Sequence, residues 1–197
     1  MKTKIISILS TVKKDGIDNF LKYLENSSFF TDPASSQGHN SYEGGLADHS
    51  FLMYNTLVKF SKDLPDYEKY SDSLKIIGLL HDISLMGTFQ KNFKNVPLKD
   101  TNGKNKKDDR GKIVFVEKEL YENYYQNTYP YPMGQLSTII LKKYLKLTLL
   151  EDLAIFWNQN FINDFNLINR AQKTSKIILY TYFADIEARL YSGQNEE

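Results

Sequence analysis

The chain contains no cysteine, so disulfides, thiolate nucleophiles and thiolate metal ligands are all excluded. It also lacks an excess of charge of either sign. Its 25 basic and 24 acidic residues leave a net of +1, and so weak a global field draws neither nucleic acid nor anionic membrane. A local basic groove is still compatible with that balance. No apolar run approaches the roughly 20 residues that a membrane-spanning helix needs. The opening "MKTKIISILSTVKKDG" has lysines and a short apolar stretch, with no small-residue cleavage site after it. It predicts an amphipathic helix rather than a leader. Together with the absent cysteine, this points to a soluble protein of the reducing cytoplasm. At 197 residues the chain can bury one sizeable core and is short for two domains.

What is present reads mostly as helix. Ile17, Phe20, Leu21 and Leu24 fall at helical spacing. They precede "NSSFFTDPASSQG", a loop by its Asn, Ser, Pro and Gly content. Leu46 to Lys62 predicts an amphipathic helix with Leu46, Met53, Leu57 and Phe60 inward. A third helix, capped by Ser71 or Ser73, runs into His81 and Asp82. Two β-type runs, Phe89 to Val96 and Ile113 to Val116, flank Asn102-Gly103 and predict a hairpin with a long, mobile loop. Helices resume at about Gly134 to Leu145 and again at Thr148, where Thr148 and Glu151 form a T-x-x-E capping box. A last long helix spans roughly Ala171 to Tyr191. No internal repeat and no inter-domain linker is evident. The expected fold class is therefore mainly α: one domain over 1–197, with a β-hairpin insertion at about 88–117.

Four polar groups sit where apolar ones belong. His49 shares its helical face with Leu46, Met53 and Phe60. His81 and Asp82 end the apolar run "IIGLL". Asp185 lies in "SKIILYTYFADIEARLY", apolar around most of its circumference. Burying such groups costs several kcal/mol, roughly, unless they are hydrogen-bonded, paired or bound to a metal. Each has an ordinary explanation: a hydrogen-bonded core histidine, a helix-end aspartate, an Asp185–Arg189 pair one turn apart. Taken together they are two imidazoles and two carboxylates, a shell suited to a borderline or hard divalent metal.

The set His49 … His81-Asp82 … Asp185 resembles the H…HD…D ligand pattern of the HD-domain metal-dependent phosphohydrolases. The flanks share the likeness. "DGIDNFLKYLENSSFFTDPASSQGHNSYEGGLADHS" is similar to the entry of the phage and bacterial HD proteins, whose first metal histidine closes a G-G-L-x-x-H run. "LLHDISLMGTF", the hairpin, "YPYPMGQLS" and "YLKLTLLEDLAIFW" keep that subgroup's order over nearly the whole chain. The resemblance implies an HD-type helical bundle with one divalent ion held by His49, His81, Asp82 and Asp185. The ion could be manganese, iron, nickel, cobalt, zinc or magnesium; the donor set does not choose. It implies a small phosphate-containing substrate, often a nucleotide, attacked by water activated at the metal. Asp82 would orient or deprotonate that water. His39, in "QGHNSYEGG", would lie on the loop leading to the site, for substrate or ligand contact.

Three positions depart from the subgroup. The lysine that commonly follows the HD aspartate by three residues is Leu85 here. Met133 stands at the histidine of a G-H-G-type stretch, and Asn158 follows Trp157 where relatives carry another histidine. Those histidines usually hold a second metal, and with three in all none is left over to replace them. A single-metal site is expected. Phosphate-binding charge would then come from Lys91 and Lys94 on the first hairpin strand, from the tip "KNKKDDRGK", or from Arg170 and Lys173; a lysine-rich tip is otherwise a solvated loop. Tyr180 and Tyr182 suit either base stacking or the core. The leading expectation is a mononuclear phosphohydrolase of nucleotides or other small phosphate esters. The alternatives are a degenerate HD scaffold that binds a nucleotide or protein without efficient turnover, and a helical interaction module with a hydrogen-bonded polar cluster.

Overall fold

Ile5 and Leu9, one turn apart on α1 (Lys2–Leu9), are wholly buried, so the amphipathic opening packs into the core. The structure is a computed structural model, and it describes residues 1–124, 130–158 and 165–192. Next comes α2 (Ile17–Glu25), which buries Ile17, Phe20 and Leu24, three positions at helical spacing. The stretch predicted as loop contains one tight turn, Ser28–Phe30, started by the Ser27 hydroxyl and burying Phe29. Then come α3 (Gly45–Ser61), α4 (Ser71–Leu80), α5 (Met133–Lys142), α6 (Leu149–Asn158), α7 (Phe165–Thr174) and α8 (Lys176–Tyr191). The helices α3, α4, α6 and α8 form the centre: α8 packs on α3 and α6, and α4 packs on the same two. The described residues are thus mainly helical, with one two-stranded antiparallel sheet. None of the described helices is long and apolar enough to cross a membrane.

Two helix boundaries differ from expectation. Neither Ser71 nor Ser73 caps α4; Ser71 is its first residue, and the Ser73 hydroxyl instead donates to Glu151 at 2.9 Å. A buried carboxylate from another helix outcompetes the local cap. The single long helix from Ala171 is broken at Ser175, whose backbone is extended (φ −157°, ψ 139°) and whose Oγ accepts from the Ile177 N–H. Arg170 and Lys173 therefore belong to α7, before the break. The Thr148–Glu151 box forms in both directions, at 3.3 and 2.7 Å.

The hairpin is longer than predicted. β1 (Phe89–Pro97) pairs in register with β2 (Phe115–Asn123), from Phe89 opposite Asn123 to Pro97 opposite Phe115. The tip is not an open loop. Asp100 Oδ1 accepts from the N–H groups of Asn102 and Lys104, and Asp108 Oδ1 accepts identically from Arg110 and Lys112. Each turn closes on a glycine of positive φ, Gly103 and Gly111. The turns are copies: "KDTNGK" and "KDDRGK" start eight residues apart, a short internal repeat where none was expected. Leu98, Lys106 and Val114 close the knob by a ring of backbone hydrogen bonds of 2.8–2.9 Å.

Gly78 sets the spacing of the central helices. A Cβ there would lie 2.6 Å from the Tyr54 Cα, so α4 approaches α3 backbone to backbone. That contact lies three residues before His81. Gly78→Ala is expected to push the helices apart at a cost of about 1–3 kcal/mol, read as a lower urea midpoint.

Candidate metal centre

His49 projects from the second turn of α3, His81 closes α4, Asp82 follows it just before the turn Ile83–Leu85, and Asp185 comes from the middle of α8. All four are buried, at 1, 1, 4 and 1 % exposure. One ligand atom from each lies within 4.8 Å of the other three. His49 Nε2 stands 3.1 Å from Asp185 Oδ1, 3.6 Å from Asp82 Oδ2 and 3.3 Å from His81 Nε2. His81 Nε2 stands 3.3 Å from Asp82 Oδ2 and 3.8 Å from Asp185 Oδ1. Ligands about 2.0–2.2 Å from one ion are separated by about 3 Å when adjacent and a little over 4 Å when opposite. The separations in this cluster fall near that range.

The donor chemistry also fits a cation. His81 Nδ1 lies 3.1 Å from the Gly78 carbonyl, which can only accept, so the proton belongs on Nδ1 and the Nε2 lone pair faces the cluster. Two imidazole Nε2 atoms 3.3 Å apart need a proton or a metal between them. Burial pulls the His81 imidazole down, but the charge and hydrogen bond of Asp82, with Asp185 behind it, raise it above its ordinary value. Burial pushes both carboxyls up, and their neighbours more than reverse this. Asp82 is lowered chiefly by His81, and Asp185 is held well below the usual carboxylate range by His49, His81 and Arg189. Two carboxylates beside one guanidinium leave one negative charge, which a proton on a histidine or a bound cation must balance.

Around the four lies a second set of contacts. Arg189 holds both oxygens of Asp185 through Nε and Nη2, so the i,i+4 pair and the inward aspartate are both present rather than alternatives. Its side chain is 39 % exposed, which places a cation between the cluster and solvent. Asn158 Nδ2 donates to Asp185 Oδ2 at 3.0 Å. A position expected to mark a lost ligand thus holds the Asp185 carboxylate in place. The Ser137 hydroxyl receives the Ser84 N–H and donates to Ser84 Oγ, tying the turn after Asp82 to α5. Asn158→Ala is expected to free the Asp185 carboxylate and weaken metal binding about 10–100-fold, measured by competition with a chromophoric chelator.

The remaining sequence candidates divide. His39 is half-buried with its ring centre 5.7 Å from that of His49, so the loop does bring it to the cluster. Burial, then the charges of His49 and Arg189, lower its pKa. Leu85 is 2 % exposed and belongs to the apolar core. Met133 begins α5 and packs against the core. Lys91 and Lys94 are not free cations. Lys91 pairs with Glu43 and Glu119 at 3.4 and 3.2 Å, and Lys94 pairs with Glu122 at 2.8 Å. Arg170 is exposed on α7, with no described contact to the cluster. Tyr180 packs edge-on against Phe60 at the core's margin. The cation that the site does hold, Arg189, lies four residues beyond Asp185. Its charge is the signal that could have marked it.

No protein-family model, no curated protein and no solved structure matches this chain.

Proposed function

We propose that this chain is an HD-type metal-dependent phosphohydrolase acting on nucleotides or other small phosphate esters with a single divalent ion. The observation that carries the reading is the convergence of His49, His81, Asp82 and Asp185 from three helices and a turn onto one buried point. A divalent ion there supplies an acidified water and neutralises charge on phosphoryl oxygens. The chain's own groups do the rest. Asp82, whose Oδ2 faces both imidazoles, is placed to orient the attacking water and to take its proton. Asp185 is held in one rotamer by Arg189 and Asn158. Arg189, partly exposed and paired with Asp185, sets positive charge beside the cluster, whereas Lys91 and Lys94 are paired with carboxylates on the hairpin and the loop before α3. His39, beside His49, is positioned to donate a hydrogen bond to the substrate or accept one from it.

A second reading has its own support. Leu85 is sealed in the core and Asn158 is committed to Asp185, so two positions that serve catalysis in the resembled subgroup serve structure here. That favours a scaffold which binds a nucleotide without efficient turnover. Metal content by mass spectrometry, on protein purified without chelator, separates the readings when paired with a metal-supplemented screen of nucleoside monophosphates. About one equivalent with phosphate release supports the hydrolase. Nucleotide-dependent thermal stabilisation without product supports the binding scaffold, and no metal after soaking in manganese or nickel overturns the hydrolase.

A further inference from the structure

The hairpin plays no part in the metal centre, yet its chemistry is unusual. Between Leu98 and Val114 the knob carries Lys99, Lys104, Lys106, Lys107, Arg110 and Lys112 against Asp100, Asp108 and Asp109. Two of those three carboxylates are spent on backbone N–H groups inside the turns. None of the six cations has a carboxylate within ion-pairing distance among the described residues; Lys99 bonds the Asn105 amide oxygen. The contrast with Lys91 and Lys94, both paired lower on the same ribbon, is direct. The chain's net +1 therefore conceals a tip of +3, six cations less three carboxylates.

Below that tip the ribbon exposes aromatic rings. Phe93 and Phe115 are 57 and 56 % exposed. The register places both on one face, Phe93 opposite Glu119 and Phe115 opposite Pro97. A two-stranded ribbon that leaves such rings in water forgoes the stabilisation their burial would give. Cations that track a phosphate backbone, followed by rings on which unpaired bases stack, are the two components of single-strand recognition. A membrane surface fits less well. The turn apices are Thr101-Asn102-Gly103 and Asp109-Arg110-Gly111, polar residues that do not insert, and the rings lie behind them.

We infer that the β1–β2 arm is a binding site for single-stranded nucleic acid, with the knob's cations on the phosphates and Phe115 and Phe93 stacked on bases. Glu117, on the same face between the two rings, opposes the phosphates and tempers the affinity. The site is independent of the metal centre.

The test is fluorescence anisotropy of the full chain with a labelled single-stranded oligonucleotide across a salt series. With six phosphates neutralised, log K is expected to fall against log salt with a slope of about −4. The variant K104Q/K106Q/K107Q/R110Q/K112Q is expected to flatten that slope to about −1. F93A/F115A is expected to weaken binding about tenfold or more at an unchanged slope, and E117Q to tighten it. Each variant is checked for an unaltered melting temperature. A duplex of the same sequence is expected to bind more weakly, because its bases are stacked already. No binding at low salt, equal binding of duplex with no effect of F93A/F115A, or sedimentation with phosphatidylserine vesicles in place of oligonucleotide would each overturn the inference.

Discussion

Asp185→Ala is expected to abolish metal binding and phosphate release together while leaving the helical content unchanged. The carboxylate is 1 % exposed and is the point where His49, Arg189 and Asn158 meet. Without it, the two imidazoles and Asp82 form a three-ligand site with an unpaired guanidinium beside it, and that guanidinium repels a cation. Arg189 is exposed enough to turn into water, so the fold does not inherit a buried lone charge. Asp82→Asn separates binding from chemistry. The amide keeps one oxygen toward the cluster but cannot accept a proton, so metal affinity should fall modestly and turnover by about 10²-fold or more. Thermal melting provides a readout that needs no substrate. With metal at about 100 times its dissociation constant, the native state gains about 2.7 kcal/mol. For a chain of this size that raises the melting temperature by about 5–10 °C. The shift should be absent in Asp185→Ala. A metal-dependent shift that persists in this variant would place the ion elsewhere and remove the basis of the proposed hydrolase.

The residues of this centre were legible in the sequence for a reason of energy. A histidine or aspartate on an apolar helix face is too costly to be incidental, and His49, His81 and Asp185 each broke such a face. What surrounds them was less legible, because it depends on partners distant in sequence. Nothing local to Ser73 says that its hydroxyl serves Glu151, 78 residues on, rather than its own helix. Lys91 reads as a free cation until the fold brings up Glu43 and the strand register brings up Glu119. Arg189 was visible only as a competing explanation of Asp185, because an i,i+4 pair and a metal ligand look mutually exclusive on a helical wheel. In the fold, one carboxylate binds Arg189 through both oxygens and still turns Oδ1 toward His49, 3.1 Å away. The break at Ser175 and the twin turns of the knob are different cases. Both follow from local chemistry: a cap-forming serine after Thr174, and two Asp-x-x-Gly turns eight residues apart. The apolar periodicity running through Ser175 masked the first. The second fell inside a stretch whose high charge reads as a solvated loop.

Glu151→Ala is expected to be the most damaging single change remote from the metal centre. Glu151 is 1 % exposed and binds three separate parts of the chain. Its Oε2 takes the Lys14 ammonium and the Thr148 N–H, both at 2.7 Å, and its Oε1 takes the Ser73 hydroxyl at 2.9 Å. Lys14 also bonds the Lys146 carbonyl at 3.0 Å, so the segment after α1, the start of α4 and the start of α6 are fastened at one point. Removing the carboxylate strands a Lys14 side chain that is only 13 % exposed and leaves the half-buried Ser73 hydroxyl and the Thr148 N–H without their acceptor. Breaking a buried pair from one side costs about 3–5 kcal/mol, here a fall of roughly 6–20 °C in melting temperature. Glu151→Gln keeps one oxygen for the Thr148 N–H and turns the other into a donor that the Ser73 hydroxyl can accept from, so its loss should be smaller. The measurement is urea unfolding with chelator present, which removes any contribution from bound metal. A loss under about 1 kcal/mol for Glu151→Ala would mean that water replaces the carboxylate, as at an exposed ion pair. The same experiment on Asp185→Ala should show a smaller loss with chelator, because Arg189 can turn into water, and a deficit that grows when metal is supplied to both proteins.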